Sequence, residues 1–417
     1  MHARRLGLAA LLAAVPLLSG CGSGAATDVA ETTGGDLTIY SSLPLQGPHA
    51  ASSEQLVDGE KLALSEAGGR AGRYRIAYES LDDAEPRSGR WSAGATATNA
   101  KIAAQDTSAI AYLGDYDSGA TAVSLPLING AGILQLSPAS PYIGLTSSIA
   151  AGQDEPERFY PSGKRTFARL IPGDPVEAAA QVTLMRSLGV HSVYVLDDGI
   201  EDPFEVSLAT ILVGDAQRAG IGVPAHDSIT TTTGSYSEEI HKIVHSGAQA
   251  VLVAAEAGAG TVALWQQLHS ADPRLLLLGV STMASEAFTS QLGAAAVSTY
   301  ITTPLLSARM YPPSARHVFD AYRRTFASEA TPEALYGYEA MNLVLDAIRA
   351  AGARGNDRQL IIDRVLATRE RRSVLGRYSI KPSGETTLTR YGVDRVRGGR
   401  PVFYRAFAAA PLKRPAG

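Results

Sequence analysis

The sequence predicts an α/β protein of two doubly wound lobes, each built on a parallel sheet. Short β-rich runs alternate with longer Ala-rich helical patterns, and they do so in two successive series of like order. Length agrees: roughly 380 residues follow the N-terminal region, more than one small core holds and natural for two domains.

In the first series, Leu37 to Leu43 reads as a strand that ends in the turn Gly47-Pro48. Ser53 to Ala67 places Leu56, Gly59, Ala63 and Leu64 on one helical face. Tyr74 to Glu79 alternates with period two, Trp91 to Ala104 is a helix of small residues, and Ala109 to Leu113 is a third strand. Thr121 to Gly130 is a short helix, and Ile133 to Leu136 runs into the stop Ser137-Pro138. Strands separated by such helices imply right-handed crossovers and parallel pairing.

The second series opens after the polar stretch Gly152 to Lys164. Its helices are Asp174 to Leu188, Pro203 to Ala219, Ser237 to Ser246 and Thr261 to Ser270. Its strands are Ser192 to Asp197, Ala250 to Ala254 and Leu275 to Leu278, largely apolar runs that suit buried strands, with Ser298 to Thr303 as the last. Helices then return at Ser314 to Phe326, Ala334 to Ala350 and Arg358 to Thr368. The tail alternates like antiparallel strands at Arg377 to Ile380, Thr386 to Arg390, Gly392 to Arg397 and Val402 to Phe407, a small meander with turns at Pro382-Ser383-Gly384 and Gly398-Gly399.

Composition narrows the function classes. Hydrophobic residues make up 45% and charged residues 19%, an ordinary globular balance. A formal net charge of −4 offers no excess of cations to displace counterions, which argues against nucleic acid. No short-period repeat or low-complexity tract is visible.

The N-terminal region sets the expected address. Arg4 and Arg5 precede the apolar run Leu6 to Leu18, which is too short to span a bilayer, and small residues then lead to Cys21, the sole cysteine. Residues 1–21 are therefore read as a signal peptide whose end resembles the bacterial lipobox. An ordinary signal peptide with an incidental cysteine is the plainer alternative. Residues 22–36, rich in Gly, Ala, Thr and Ser, form a flexible tether. The expected location is the cell membrane, with Cys21 lipidated on the extracytoplasmic face; no later apolar run is long enough to cross.

A family resemblance then emerges. The opening LTIYSSLPLQGPHAASSEQLVDGEKLALSEAGG resembles that of the type I periplasmic binding proteins of the leucine/isoleucine/valine class. Tyr78 to Pro86, Ile110 to Gly114 with Asp117 to Thr121, Ile133 to Pro138 with Leu145-Thr146, Asp197-Asp198-Gly199 and Tyr336 to Ala340 continue it in order, so that it covers Leu37 to Phe407. The resemblance implies two lobes joined by three crossovers, 37–171 with 303–374 and 172–302 with 375–410. It also implies a small-molecule ligand in the cleft between them, a monomer, and an ABC transporter permease as partner.

Site residues follow from it one by one. Ser118, with Gly119, matches the family serine segment that contacts the ligand's carboxylate, and strand ends meeting a helix start favour an anion there. As an N-cap, Ser118 would need no ligand at all. Ala139 falls on the family's backbone contact. Pro141 replaces a common ligand-binding threonine, so Ser140 is the available hydroxyl. Ser52 stands where some relatives carry an aromatic cover. In lobe two, Phe204 aligns with an aromatic residue if about two residues are inserted before it, a contact that could stack but not donate. Ser281 occupies the place of an ammonium-pairing carboxylate. Glu256 is the nearest alternative acid, to be weighed against a solvated loop glutamate.

Other signals fall away. His241 and His245 have metal-ligand spacing, but HKIVH lacks the glutamate of the zinc-protease pattern and lies on the polar helix face. Tyr116 and Ala120 break a nucleophile elbow around Ser118, Arg158 breaks a phosphate loop ending at Gly163-Lys164, and Ala263 breaks a dinucleotide fingerprint after Gly258. No catalysis, cofactor or metal is expected. The resulting reading is a lipid-anchored solute-binding protein serving an ABC importer, with an amino acid as the expected ligand. A ligand-sensing receptor domain that acts through a separate membrane partner is the alternative.

Overall fold

The computed structural model describes residues 35–199, 203–231 and 234–409. Cys21, the signal peptide and nearly all of the tether lie outside them. Two open sheets form the frame, and helices cover both faces of each.

The first sheet uses β1 (Asp36–Leu43), β2 (Arg70–Ala71), β3 (Tyr74–Asp82), β4 (Ala109–Gly114), β5 (Leu134–Ser137) and β6 (Phe167–Arg169), in the order β2-β3-β1-β4-β5-β6. All its pairings are parallel except the short β2–β3 contact. The connecting helices are α1 (Ala50–Glu66), α2 (Ala93–Gln105) and α3 (Ser118–Gly130). Ser92 starts α2 by accepting a hydrogen bond from the Ala95 N–H, which satisfies one orphan donor of the first turn.

The chain then crosses to the second sheet through α4 (Asp174–Ser187), β7 (Val193–Asp197), α5 (Pro203–Arg218), β8 (His226–Ser228), α6 (Ser237–His245), β9 (Ala250–Ala254), α7 (Ala259–Ala271), β10 (Leu276–Gly279), α8 (Glu286–Thr289) and β11 (Thr299–Thr303). β7, β9 and β11 are buried at every position, because helices cover the sheet on both sides.

It returns as α9 (Pro313–Phe326), α10 (Glu333–Ala351) and α11 (Arg358–Leu366), which pack on the first core. Gly59 of α1 and Gly337 of α10 let the two backbones touch. A Cβ at 59 would lie 2.1 Å from the Ala334 carbonyl oxygen, and one at 337 would lie 2.0 Å from that of Leu56.

The tail departs from the expected meander. β12 (Arg371–Ser373) and β13 (Gly376–Tyr378) form a separate hairpin whose Tyr378 joins the first core. Of Thr386 to Arg390, expected as a strand, Thr386 makes an isolated bridge with Ile380 and only Arg390 enters a strand, the start of the next one. β14 (Arg390–Arg397) and β15 (Arg400–Ala408) cross back and extend the second sheet, which runs β15-β14-β11-β10-β9-β7-β8. Alternation revealed extended backbone in the tail but carried no information about which sheet receives it. The short strands β2, β6 and β8 were not anticipated, since two or three residues are too few to show a period. The chain thus passes between the two sheets three times, the arrangement that the sequence predicts.

Candidate functional site

The carboxyl ends of both sheets face one cleft, the place where open α/β sheets bind ligands. Its lining encloses about 790 Å³, counting solvent at the mouth. Ser52, Ser118 and Ala139 line it from the first lobe, and Glu256 and Ser281 from the second.

Their roles differ in detail from the sequence reading. Asp117, not Ser118, is the N-cap of α3, and its side chain makes no capping hydrogen bond. Ser118 opens the helix and accepts the Tyr142 N–H at 3.3 Å. The Ala139 N–H is already donated to Ser137 Oγ at 3.1 Å. Gly119 and Ser140 sit behind the wall: a Cβ on Gly119 would strike the Trp91 ring, and Ser140 donates to the Asp115 carbonyl at 3.0 Å. Buried Arg169 fixes that segment by donating to the carbonyls of Ser140 and Tyr142, each at 2.7 Å, while pairing with Glu385 at 3.0 Å. Phe204 lies in α5, and its side chain is outside the described residues.

Ser281 is not an open hydroxyl. It donates to the buried carboxylate of Glu177 through both N–H (2.8 Å) and Oγ (2.9 Å), and Thr302 and Tyr391 donate to the same carboxylate at 2.6 and 2.7 Å. Burial pushes the Glu177 carboxyl up, and these donors pull it back toward the charged form.

Sequence reasoning missed His49, Tyr116, Asp117 and Glu333, which line the same cleft. A positional signal was available: His49 follows β1, Asp117 follows β4, and Glu333 opens α10. His49 Nε2 lies 3.7 Å from Glu256 of the opposite lobe and 3.9 Å from Asp117. Its ring tilts over Tyr116 with centroids 4.8 Å apart. Burial alone would lower the His49 pKa, but hydrogen bonding to Glu256 and the charge of Asp117 outweigh it and raise it to about 9. Burial lifts Asp117 to about 6 against the opposing pull of His49.

Among the described residues, the nitrogen and carboxylate atoms of His49, Asp117 and Glu256 lie within 4.8 Å of one another, a donor set with the chemistry to hold a divalent cation. An imidazolium held by two carboxylates carries no lone pair for a metal, so the trio reads first as an ion-pair bridge between the lobes. His241 and His245 stack on each other at 4.0 Å on α6, with no third ligand among the described residues.

Comparisons with known proteins bear on this geometry. A family model described as periplasmic binding protein matches residues 38–400. Leu/Ile/Val-binding protein homolog 3 of Brucella melitensis biotype 1 is 24% identical over 348 residues, covering 81% of this chain and 85% of that protein. A leucine-binding protein from Thermotoga maritima MSB8 has a TM-score of 0.75 at 18% identity, covering 89% of this chain and 98% of that one. An ABC transporter solute-binding protein from R. palustris, solved with benzoate, has a TM-score of 0.69 at 15% identity, covering 92% of this chain and 99% of that one. With two sheets facing a shared cleft and a match spanning residues 38–400, the chain belongs to the periplasmic binding protein family, type I, and is a solute-binding protein rather than an enzyme.

Proposed function

We propose that this protein captures a small polar ligand of the amino-acid class outside the cytoplasm and presents it to the permease of an ABC importer, held at the membrane through lipidated Cys21. The observation that carries the reading is the cleft itself. Ser118 at the start of α3 offers a hydroxyl beside free N–H groups suited to a carboxylate. Glu256 lines the cleft from the other side, a position that supports its role as the acid an ammonium requires. A ligand touching both lobes stabilises the closed arrangement by its differential affinity, and a membrane partner can read that state. No helix among the described residues is long and apolar enough to cross a membrane.

The test is a thermal-shift screen of amino acids on protein stripped of ligand by unfolding and refolding, followed by calorimetry. A true ligand at a hundred times its Kd should stabilise the fold by about 2.7 kcal/mol. Ser118→Ala should weaken its affinity by about one to two decades. Unchanged affinity in that variant, or no amino acid that stabilises wild type, would reject the reading. Fractionation tests the anchor: Cys21→Ala should leave the membrane fraction.

A further inference from the structure

Two of the carboxylates lining the cleft are unfinished. Asp117 is 7% exposed, and its Oδ2 is buried with no hydrogen-bond partner among the described residues. Glu333 Oε2 is buried and equally unpartnered, while its carboxyl receives a long hydrogen bond of 3.4 Å from Ser52 Oγ at Oε1 and is also acted on by Thr331 and its own backbone N–H. Both line the cavity, as does Glu256. Burying a carboxylate oxygen without a donor is costly, so native structures supply a partner or keep the group protonated.

The charge balance of the lining is lopsided. Three carboxyls, Asp117, Glu256 and Glu333, face one imidazole, His49, and His49 is committed to Asp117 and Glu256. Arg90 also acts on His49 and Asp117. On the other side, Asp394 of β14 feels the charge of Glu333. The Tyr116 phenol stands among the acids, with Glu333, Asp117 and Glu256 all acting on it. An aromatic ring ringed by carboxylates favours an amine or guanidine, which gains from both the ring face and the oxygens.

We propose that the cleft is selective for a ligand with a second cationic group, an amino acid whose side chain ends in an amine or guanidine, with that group seated between Tyr116, Asp117 and Glu333. The inference rests on the amino-acid reading above and sharpens its ligand class. An aliphatic side chain in the same place would leave the oxygens of Asp117 and Glu333 without a donor. A cationic one completes both. Burial pushes the Glu333 carboxyl up in the empty cleft, and an arriving cation favours its charged form.

The experiment is calorimetry on stripped protein with L-lysine, L-arginine and L-leucine. Lysine or arginine should bind at least tenfold tighter than leucine. Glu333→Gln should reduce that preference tenfold or more. Leucine binding equal to or tighter than both cationic amino acids would overturn the inference while leaving the amino-acid reading intact. Binding of none of the three by folded protein would also overturn it, and the screen of the other amino acids then decides the reading on which it rests. If Glu333→Gln fails to fold, wild type still decides the matter: lysine and arginine binding no tighter than leucine overturns the inference.

Discussion

At the scale of single residues, the bridge between the lobes is a histidine whose charge depends on its neighbours. The folded pKa of His49, raised to about 9 from an ordinary 6.5, makes the bridge a stabilising contact that is fully present below pH 6.5 and lost as pH rises through 9. Asp117, Glu256, Arg90 and Tyr116 are the groups that face it. The melting temperature of ligand-free protein should therefore fall between pH 7 and 10, and His49→Gln should flatten that fall. An identical pH slope in the variant would mean that the bridge contributes nothing. The residue scale is also where the sequence was least legible. Ser52, Ser118, Ala139, Glu256 and Ser281 reach the cleft because family spacing marks the carboxyl ends of strands. His49, Tyr116, Asp117 and Glu333 carry no motif, and their meeting depends on loops from separate elements. Glu177 was hidden for another reason: in sequence it is one acid in an ordinary helix start, and only the fold places it under Ser281.

At the scale of elements, legibility follows periodicity. A covered parallel strand such as β9 is an unbroken apolar run, and most helices matched their predicted spans to within a few residues. What the pattern could not supply was the partner of each element, as the divided tail shows. The tightest such partnership is α1 against α10, where Gly59 and Gly337 stand at the contact. Gly337→Ala must separate the two backbones and should cost about 1–3 kcal/mol, as overpacking does. Urea denaturation measures this, and a midpoint unchanged from wild type would show that the helices slide apart freely. Because α10 also carries Glu333 and Tyr336 into the cleft, the same variant should weaken ligand binding.

At the scale of the molecule, the second sheet is completed by the end of the chain. β14 pairs with β11, and Tyr391 at its start donates to Glu177 at 2.7 Å. A chain stopped after Thr389 exposes the edge of β11 and removes one donor from a buried carboxylate. Such a truncation should be insoluble or aggregated, whereas removing only residues 410–417 should be tolerated. Size-exclusion chromatography separates the outcomes, and a monomeric, cooperatively melting truncation at Thr389 would refute the claim.

The late arrival of β14 and β15 also keeps time during synthesis. A sheet begun at Val193 stays open-edged until Arg390 to Ala408 have been made. Non-local pairing of this kind is slow to form, because the closure entropy of the intervening chain must be met first. For a chain exported as proposed above, slowness is an advantage. The connectivity that sets two sheets around one cleft also delays locking of the second, so the nascent chain stays open until its far end has been made.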